Sequence, residues 1–345
     1  MIPAKLLLLL GAAAIASCSS DATRRAAGER SYVNPVLDRD FPDPAVLAAD
    51  GWYYAYATQT SSDGRMLNIQ SARSRDLVQW EPLGDALPVK PSWAASKQNF
   101  WAPHVIHDGE RRTYVMYYSA EPDAAAGKCL AVATSADPRG PFVDSGDPMH
   151  CGEGVEHIDP MAFDDPQTGK RLLYWGSSSR PIKVQELARD RLRFLEDSRP
   201  ENVIFPDHSR EYRKLIEGAW VIYRSGIYFM FYSGERCCGR QASYAVMVAR
   251  SSTAFGPFEH FPGPGGNSVI LRESAQWRAP GHNSVIADAQ GNDWMLYHAY
   301  SAADGDRADR RVMLLDRIVY RDGWPRVSGD EPSAGRRSAP AVADR

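Results

Sequence analysis

The run WYYAYATQT, residues 52–60, is aromatic-rich and reads as a strand, and four later runs echo it: TYVMYYSA from Thr113, RLLYWGSS from Arg171, IYFMFYSG from Ile227 and WMLYHAY from Trp294. About ten residues ahead of each run stands a short polar or acidic motif, at intervals of roughly sixty residues, the signature of a repeat architecture. These motifs are FPDPAV, FWAPHV, HIDPMAF, IEGAWV and GHNSVI. A further strand pattern follows each aromatic run: LNIQSARS from Leu67, CLAVATS from Cys129, IKVQEL from Ile182, YAVMVARS from Tyr244 and VMLLDRIVY from Val312. These end in turns such as DPRGPF and STAFGPF, as antiparallel meanders do. With about four strands per unit and no long amphipathic helix pattern, the expected fold is all-β, a five-bladed β-propeller. A two-sheet sandwich or jelly roll also reads as many short strands. Five matching units argue against it.

The repeat places Asp43, Ala102, Asp159, Glu217 and His282 at roughly equivalent positions. In a propeller the innermost strand of each blade lies along the central axis, so these residues face one another around one end of the channel. Singly, each acid has an ordinary explanation. Asp-Pro opens turns by capping backbone N–H groups, and Glu217 before Gly218 reads as a surface residue at a strand entry. Jointly they do not, because each is followed by apolar residues that should bury the strand: Ala45-Val46, Met161-Ala162-Phe163 and Ala219-Trp220-Val221. Two carboxyl groups flanking a glycosidic bond supply a reason, one acting as general acid and the other as general base. At a separation of about 6.5 to 9.5 Å, water enters directly and configuration inverts, whereas at about 5 to 5.5 Å one carboxylate is the nucleophile. Acids on different blades suit the wider spacing.

Composition is that of an ordinary globular protein: 345 residues, 43% hydrophobic and 24% charged, with a net charge of -3 that provides no basic field for nucleic acid. Lys5 followed by an apolar run from Leu6 to Ile15 reads as an export signal, too short to span a membrane as a mature helix. The run ends Ile15-Ala16-Ser17-Cys18, which resembles a bacterial lipoprotein cleavage box. The expected organisation is a signal over 1–18 with cleavage before Cys18 and a tether over 19–30. The propeller over 31–327 follows, then a disordered tail over 328–345. A lipid anchor at Cys18 would be the only membrane attachment, placing the protein in the cell envelope, or outside the cell if secreted. Export makes Cys129, Cys151, Cys237 and Cys238 disulfide candidates. Cys129 could bridge to Cys151, and Cys237 to the adjacent Cys238, but four cysteines allow three pairings and the sequence does not choose among them.

NPVLDRDFPDPAVLAADGWYYAYAT resembles the opening of glycoside hydrolase family 43, as do WAP, IDPMAF with YWGS, EGAWV with IYFMFYSG, and GHNSV with YHAY. The resemblance runs in order from Asn34 to about Val327. It implies a five-bladed propeller that inverts configuration and acts on α-L-arabinofuranosyl or β-D-xylosyl linkages of plant polysaccharides. Matched by motif, Asp43 would be the general base, Glu217 the general acid, and Asp159 the third carboxylate, orienting the acid and holding its pKa up. Asp40, three residues before Asp43, is a rival base. His282 resembles a channel histidine close to a bound ion, often calcium through water, beneath the sugar, although calcium prefers oxygen ligands and no calcium-loop spacing is present. Phe41, Trp101 and Trp220 could offer faces to a sugar ring or pack between blades. Arg311 is a further candidate for substrate contact.

The GWPRV ending and YHAY resemble the arabinan-cleaving branches more than the xylosidases, favouring an α-L-arabinofuranosidase or arabinanase over a β-xylosidase. Two stretches depart from the pattern: Cys237-Cys238-Gly239, and the charged segment from Arg189 to Arg213. Other classes remain open at this stage. A non-catalytic carbohydrate-binding propeller would lack one acid, and a retaining fructosidase would carry a different first motif.

Overall fold

The computed structural model describes residues 30–307 and 309–343, together with Met1. The signal expected over 1–18, with Cys18, and the tether expected over 19–30 lie outside the described residues, apart from Met1 and Arg30. Five antiparallel sheets of four or five strands follow one another along the chain, each a meander. Blade 1 comprises Ala45–Ala49, Trp52–Ala57, Gln70–Ser74 and Trp80–Asp85. Blade 2 is built on Trp101–Asp108, Thr113–Ala120 and Lys128–Ser135, whose outer edge takes Val143–Asp144 and His150–Gly152. Blade 3 is Met161–Asp164, Arg171–Trp175, Ile182–Glu186 and Glu201–Ile204. Blade 4 is Ile216–Arg224, Ile227–Gly234 and Ala245–Ser251, edged by Glu259–His260 and Val269–Leu271. Blade 5 is Trp277–Ala287, Asp293–Ser301, Val312–Arg321 and Trp324–Val327. Helix among the described residues is limited to short 3-10 turns.

The aromatic runs are the second strands, and their composition follows from their position. A second strand is covered on both faces by neighbouring blades, so it has no polar side and loses the alternation of a half-exposed strand. Tyr56, Met116 to Tyr118, Leu172 to Tyr174, Met230 to Tyr232 and Met295 to Tyr297 are all fully buried. Blades 1 and 2 share one apolar cluster containing Tyr56, Phe100, Met116 and Phe142. Blades 5 and 1 share another containing Val46, Ala55, Leu296 and Leu315. Closure between the last and first blades is reinforced by the lead-in segment. Tyr32 Oη donates to the Leu315 carbonyl at 2.7 Å, while the Asn34 side chain exchanges hydrogen bonds with the Leu315 backbone at 3.0 and 2.9 Å.

Both candidate disulfides form. Cys129 and Cys151 are register partners on adjacent strands of blade 2, and Cys237 bonds to Cys238. Two expectations need correction. The tail expected to be disordered from Ser328 packs back through residue 343: Arg337–Ser338 pairs with Ser31–Tyr32, and buried Ser333 donates its N–H to Asp316 at 3.1 Å. Short polar segments without periodicity order when a strand edge and a buried acceptor await them. The segment from Arg189 to Arg213 likewise contains the outer strand of blade 3. Its Arg191, 4% exposed, pairs with Asp164 at 2.7 Å and Asp108 at 3.3 Å, tying blade 3 to blade 2.

Candidate active site

In every blade the motif at the inner strand carries a residue in the left-handed region: Asp43 (φ 57°), Ala102 (φ 46°), Asp159 (φ 60°), Gly218 (φ 63°) and His282 (φ 47°). The equivalent residue of blade 4 is therefore Gly218, and Glu217 sits one position earlier, in phase with Trp101. Because successive side chains along an extended chain point to opposite sides, this offset aims the glutamate differently from the two aspartates. The other four blades hold non-glycine residues at this φ, but at Gly218 a Cβ would stand 3.3 Å from the His282 ring, which would have to shift to admit it.

A second ring holds the first. The backbone N–H of each entry residue donates to a polar side chain from the second strand of the preceding blade: Ala102 to Thr58 Oγ1 (2.8 Å), Asp159 to Ser119 Oγ (3.1 Å), His282 to Ser233 Oγ (2.8 Å) and Asp43 to His298 Nδ1 (3.1 Å). Blade 4 breaks the series. Gly218 N–H donates instead to Asp159 Oδ2 at 3.0 Å, which leaves the Ser177 hydroxyl free to donate to Glu217 Oε2 at 2.6 Å. Tyr244 Oη donates to Glu217 Oε1 at 2.7 Å. The tyrosine ring is seated against Gly281, where an added Cβ would fall 1.9 Å from Tyr244 Cδ1. Asp159 thus orients Glu217 through the backbone of the next residue.

The carboxylates experience opposite fields. Burial works to raise the Asp43 carboxyl, but Arg311 first and then His282 outweigh burial and hold it well below the usual carboxylate range. Arg311 Nη1 donates to Asp43 Oδ1 at 3.1 Å, Thr58 Oγ1 to Asp43 Oδ2 at 2.6 Å, and His282 Nδ1 lies 3.4 Å from Oδ1. Asp159 goes the other way: burial, then the charges of Glu217 and Asp43, push it well above that range. The rival base Asp40 is committed elsewhere, accepting Thr60 Oγ1 at 2.8 Å and the Arg311 N–H at 3.0 Å.

Asp43, Asp159, Glu217, His282, Trp101 and Arg311 line one cleft of about 430 Å³, together with Thr58, Ser177, Leu215 and the turn Glu235 to Cys238. That volume falls in the range of small-molecule sites. Lys128 Nζ stands 3.5 Å from the centroid of the Trp101 ring and fixes this cleft aromatic. Phe41 and Trp220, expected as sugar-facing aromatics, are placed elsewhere. Phe41 packs with Leu37 and Val46 in the cluster between blades 5 and 1. Trp220 lies behind the carboxylates, its ring 5.0 Å from that of His104, because the face of the inner strand opposite Glu217 points into the body. Arg311 does enter the cleft, yet its clearest bond is to Asp43.

His282 meets carboxylates, but the surroundings do not fit a directly bound calcium. A void of about 20 Å³ behind the cleft is lined by Pro44, Pro103, Pro160, Met161 and Trp220 besides Asp43, Asp159, His282 and Asn283. Asp43 is already engaged by Arg311 and Thr58, and Asp159 by Gly218. Among the described residues no cluster of three or more His, Cys, Asp or Glu has metal-holding geometry. The Asn283 side-chain amide, which lines this void, is buried without a protein partner.

His298 has a further consequence. Burial lowers its pKa to about 4, and burial likewise lowers His104 to about 3 and His157 and His260 to about 4. The folded imidazoles are neutral, so the unfolded chain binds more protons between pH about 4 and the unfolded value near 6.5. Their contribution is fully present above about pH 6.5 and is lost as pH falls toward 4. For fully buried His298 alone the loss is about 3 kcal/mol. Denaturant unfolding at pH 7.5 and pH 5 should show a clear fall in midpoint; equal midpoints would contradict four neutral imidazoles.

Residues 32–325 match the family profile of Glycosyl hydrolases family 43. The chain is 26% identical to the extracellular exo-α-(1→5)-L-arabinofuranosidase ArbA of Cellvibrio japonicus, over 85% of this chain and 87% of that protein. It is 26% identical to the β-D-galactofuranosidase xynD of Aspergillus niger, over 84% and 82%. Among solved structures it resembles a thermostable family-43 glycoside hydrolase at a TM-score of 0.75 and 27% identity, covering 90% of this chain and 100% of that one. It also shares its fold with a Cellvibrio cellulosa α-L-arabinanase complexed with arabinohexaose, at a TM-score of 0.70 and 22% identity, over 84% and 95%. With the propeller, the carboxylates and this match over most of its length, the chain belongs to glycosyl hydrolase family 43 and is a glycosidase.

Proposed function

We propose that the protein hydrolyses α-L-arabinofuranosyl linkages with inversion of configuration. The observation that carries this reading is the opposed treatment of the carboxyl groups across one cleft. Asp43 is held ionised by Arg311, Thr58 and His282, while Glu217 is cradled by two hydroxyls beside an Asp159 that resists ionisation. Asp43 takes a proton from a water whose oxygen bonds to the anomeric carbon. Glu217 gives a proton to the glycosidic oxygen as the bond to the anomeric carbon breaks, releasing an alcohol. Exchange with solvent resets both groups. Hydroxyls both donate and accept, so Tyr244 and Ser177 can hold Glu217 before and after the transfer.

The arabinoside assignment draws on relatives named as arabinofuranosidases and arabinan arabinosidases. The test is turnover of aryl α-L-arabinofuranoside, aryl β-D-xyloside, aryl β-D-galactofuranoside and linear arabinan by purified protein. Preference for the first or last supports the proposal, and turnover confined to the xyloside or galactofuranoside rejects it. Arg311→Met removes the cation that depresses Asp43, so the base ionises at higher pH. The acid limb of kcat/KM should move up in pH; an unmoved limb would separate Arg311 from the base. Export with lipidation at Cys18 belongs to the same proposal, and the disulfides Cys129–Cys151 and Cys237–Cys238 support an oxidising compartment.

A further inference from the structure

The turn that follows the second strand of blade 4 forms one wall of the cleft. Glu235, Arg236, Cys237 and Cys238 line it together with Leu215, Asp43, Glu217 and Arg311. Two bonded sulfurs present a compact, polarizable surface without strong hydrogen-bonding groups. Such a surface suits the C–H face of a sugar, as the hydroxyls turn toward carboxylates and Arg311. The turn is held at three points. Glu235 N–H donates to the Leu215 carbonyl at 3.0 Å, Ser243 N–H to the Arg236 carbonyl at 3.0 Å, and Gly239 N–H to Tyr300 Oη at 3.1 Å. Cys237 itself packs against the patch of Ala242, Tyr244, Ala279 and Tyr300, the apolar cluster that includes the Glu217 partner Tyr244.

We infer that the Cys237–Cys238 disulfide is a substrate-contacting, specificity-determining element of the cleft, an apolar face for the glycoside held in register with Glu217. The sugar class rests on the arabinofuranoside reading above; the contact itself does not. Covalent closure of adjacent residues leaves this face little freedom, so the contact is made with a small entropic cost. Neither cysteine belongs to the blade cores, and Cys238 is exposed.

The experiment compares wild-type protein with Cys237→Ser/Cys238→Ser on whichever aryl glycoside of the panel wild type turns over. Loss of one apolar contact should raise KM about tenfold while kcat changes by less than about threefold. Cys237→Ala/Cys238→Ala serves if the serine variant does not fold, as judged by its thermal midpoint. Treatment of wild type with a phosphine reductant should reproduce the KM shift, and the same treatment of the double variant controls for Cys129–Cys151. In parallel, the panel of glycosides is titrated into Glu217→Gln protein with and without the disulfide, with about tenfold weaker binding expected without it. This arm reads the contact even if wild type turns over none of the panel, a result that would reject the proposed function alone. Equal KM and equal affinity in folded variants, or no binding of any glycoside to the Glu217→Gln protein, would overturn the inference. A fall in kcat at constant KM would also overturn it, assigning the disulfide to support of Tyr244.

Discussion

Glu217→Gln is expected to lower kcat on an arabino-oligosaccharide by about a thousandfold, within the range a positioned general acid supplies, and to cost far less on an aryl arabinoside with an acidic phenol. The difference between substrates is the informative part. An oligosaccharide leaving group needs its proton as the bond breaks, whereas a nitrophenolate departs without one. The replacement keeps the local structure, since the amide can satisfy Tyr244 Oη and Ser177 Oγ, each of which donates or accepts. Steady-state rates on the two substrates give the answer. Equal losses on both would remove Glu217 from proton delivery.

Asp43→Asn should be as damaging but with a different signature. The loss, about a thousandfold or more in kcat, is expected to be independent of the leaving group, because activation of water is needed for every substrate. The fold should also suffer. Arg311, held by Asp43 Oδ1 at 3.1 Å in a mostly buried niche, loses its counter-charge, and breaking such a pair costs about 3 to 5 kcal/mol. Thermal unfolding of the variant tests this second effect: a midpoint equal to wild type would mean that the guanidinium finds other compensation. Arg311→Met/Asp43→Asn, which removes both charges, should recover part of the stability without recovering activity.

The architecture was legible because the second strand of a propeller blade is buried on both sides, and WYYAYA, TYVMYYSA and IYFMFYSG advertise it without alternation. The carboxylates were legible because they recur in one phase of that repeat. The alignment nonetheless treated Glu217 as the equivalent of Asp43 and Asp159, when the left-handed residue of blade 4 is Gly218. A motif of four letters does not reveal which residue takes φ > 0, and a one-residue slip changes the side to which a side chain points. The residues that tune the acids went unread: His298 lies in a second strand, Thr58 and Ser177 just after one, and Tyr244 just before a third. A signal was present in that each aromatic run ends in a small hydroxyl or an imidazole, at Thr58, Ser119, Ser177, Ser233 and His298. Phe41 and Trp220 were left open between the two placements, since an aromatic beside a catalytic motif looks the same whether it faces the cleft or the body. The ordering of 328–343 depends on partners in other elements, Asp316 and the distant strand Ser31–Tyr32, which no local pattern reports.

In a single displacement Asp43 directs water and Glu217 protonates the departing oxygen, so configuration inverts. Proton NMR of the first-formed sugar during turnover of an aryl α-L-arabinofuranoside reads this directly. β-L-arabinofuranose should appear first and then equilibrate in solution. Initial formation of the α anomer would contradict single displacement, requiring a covalent intermediate on one of the carboxylates.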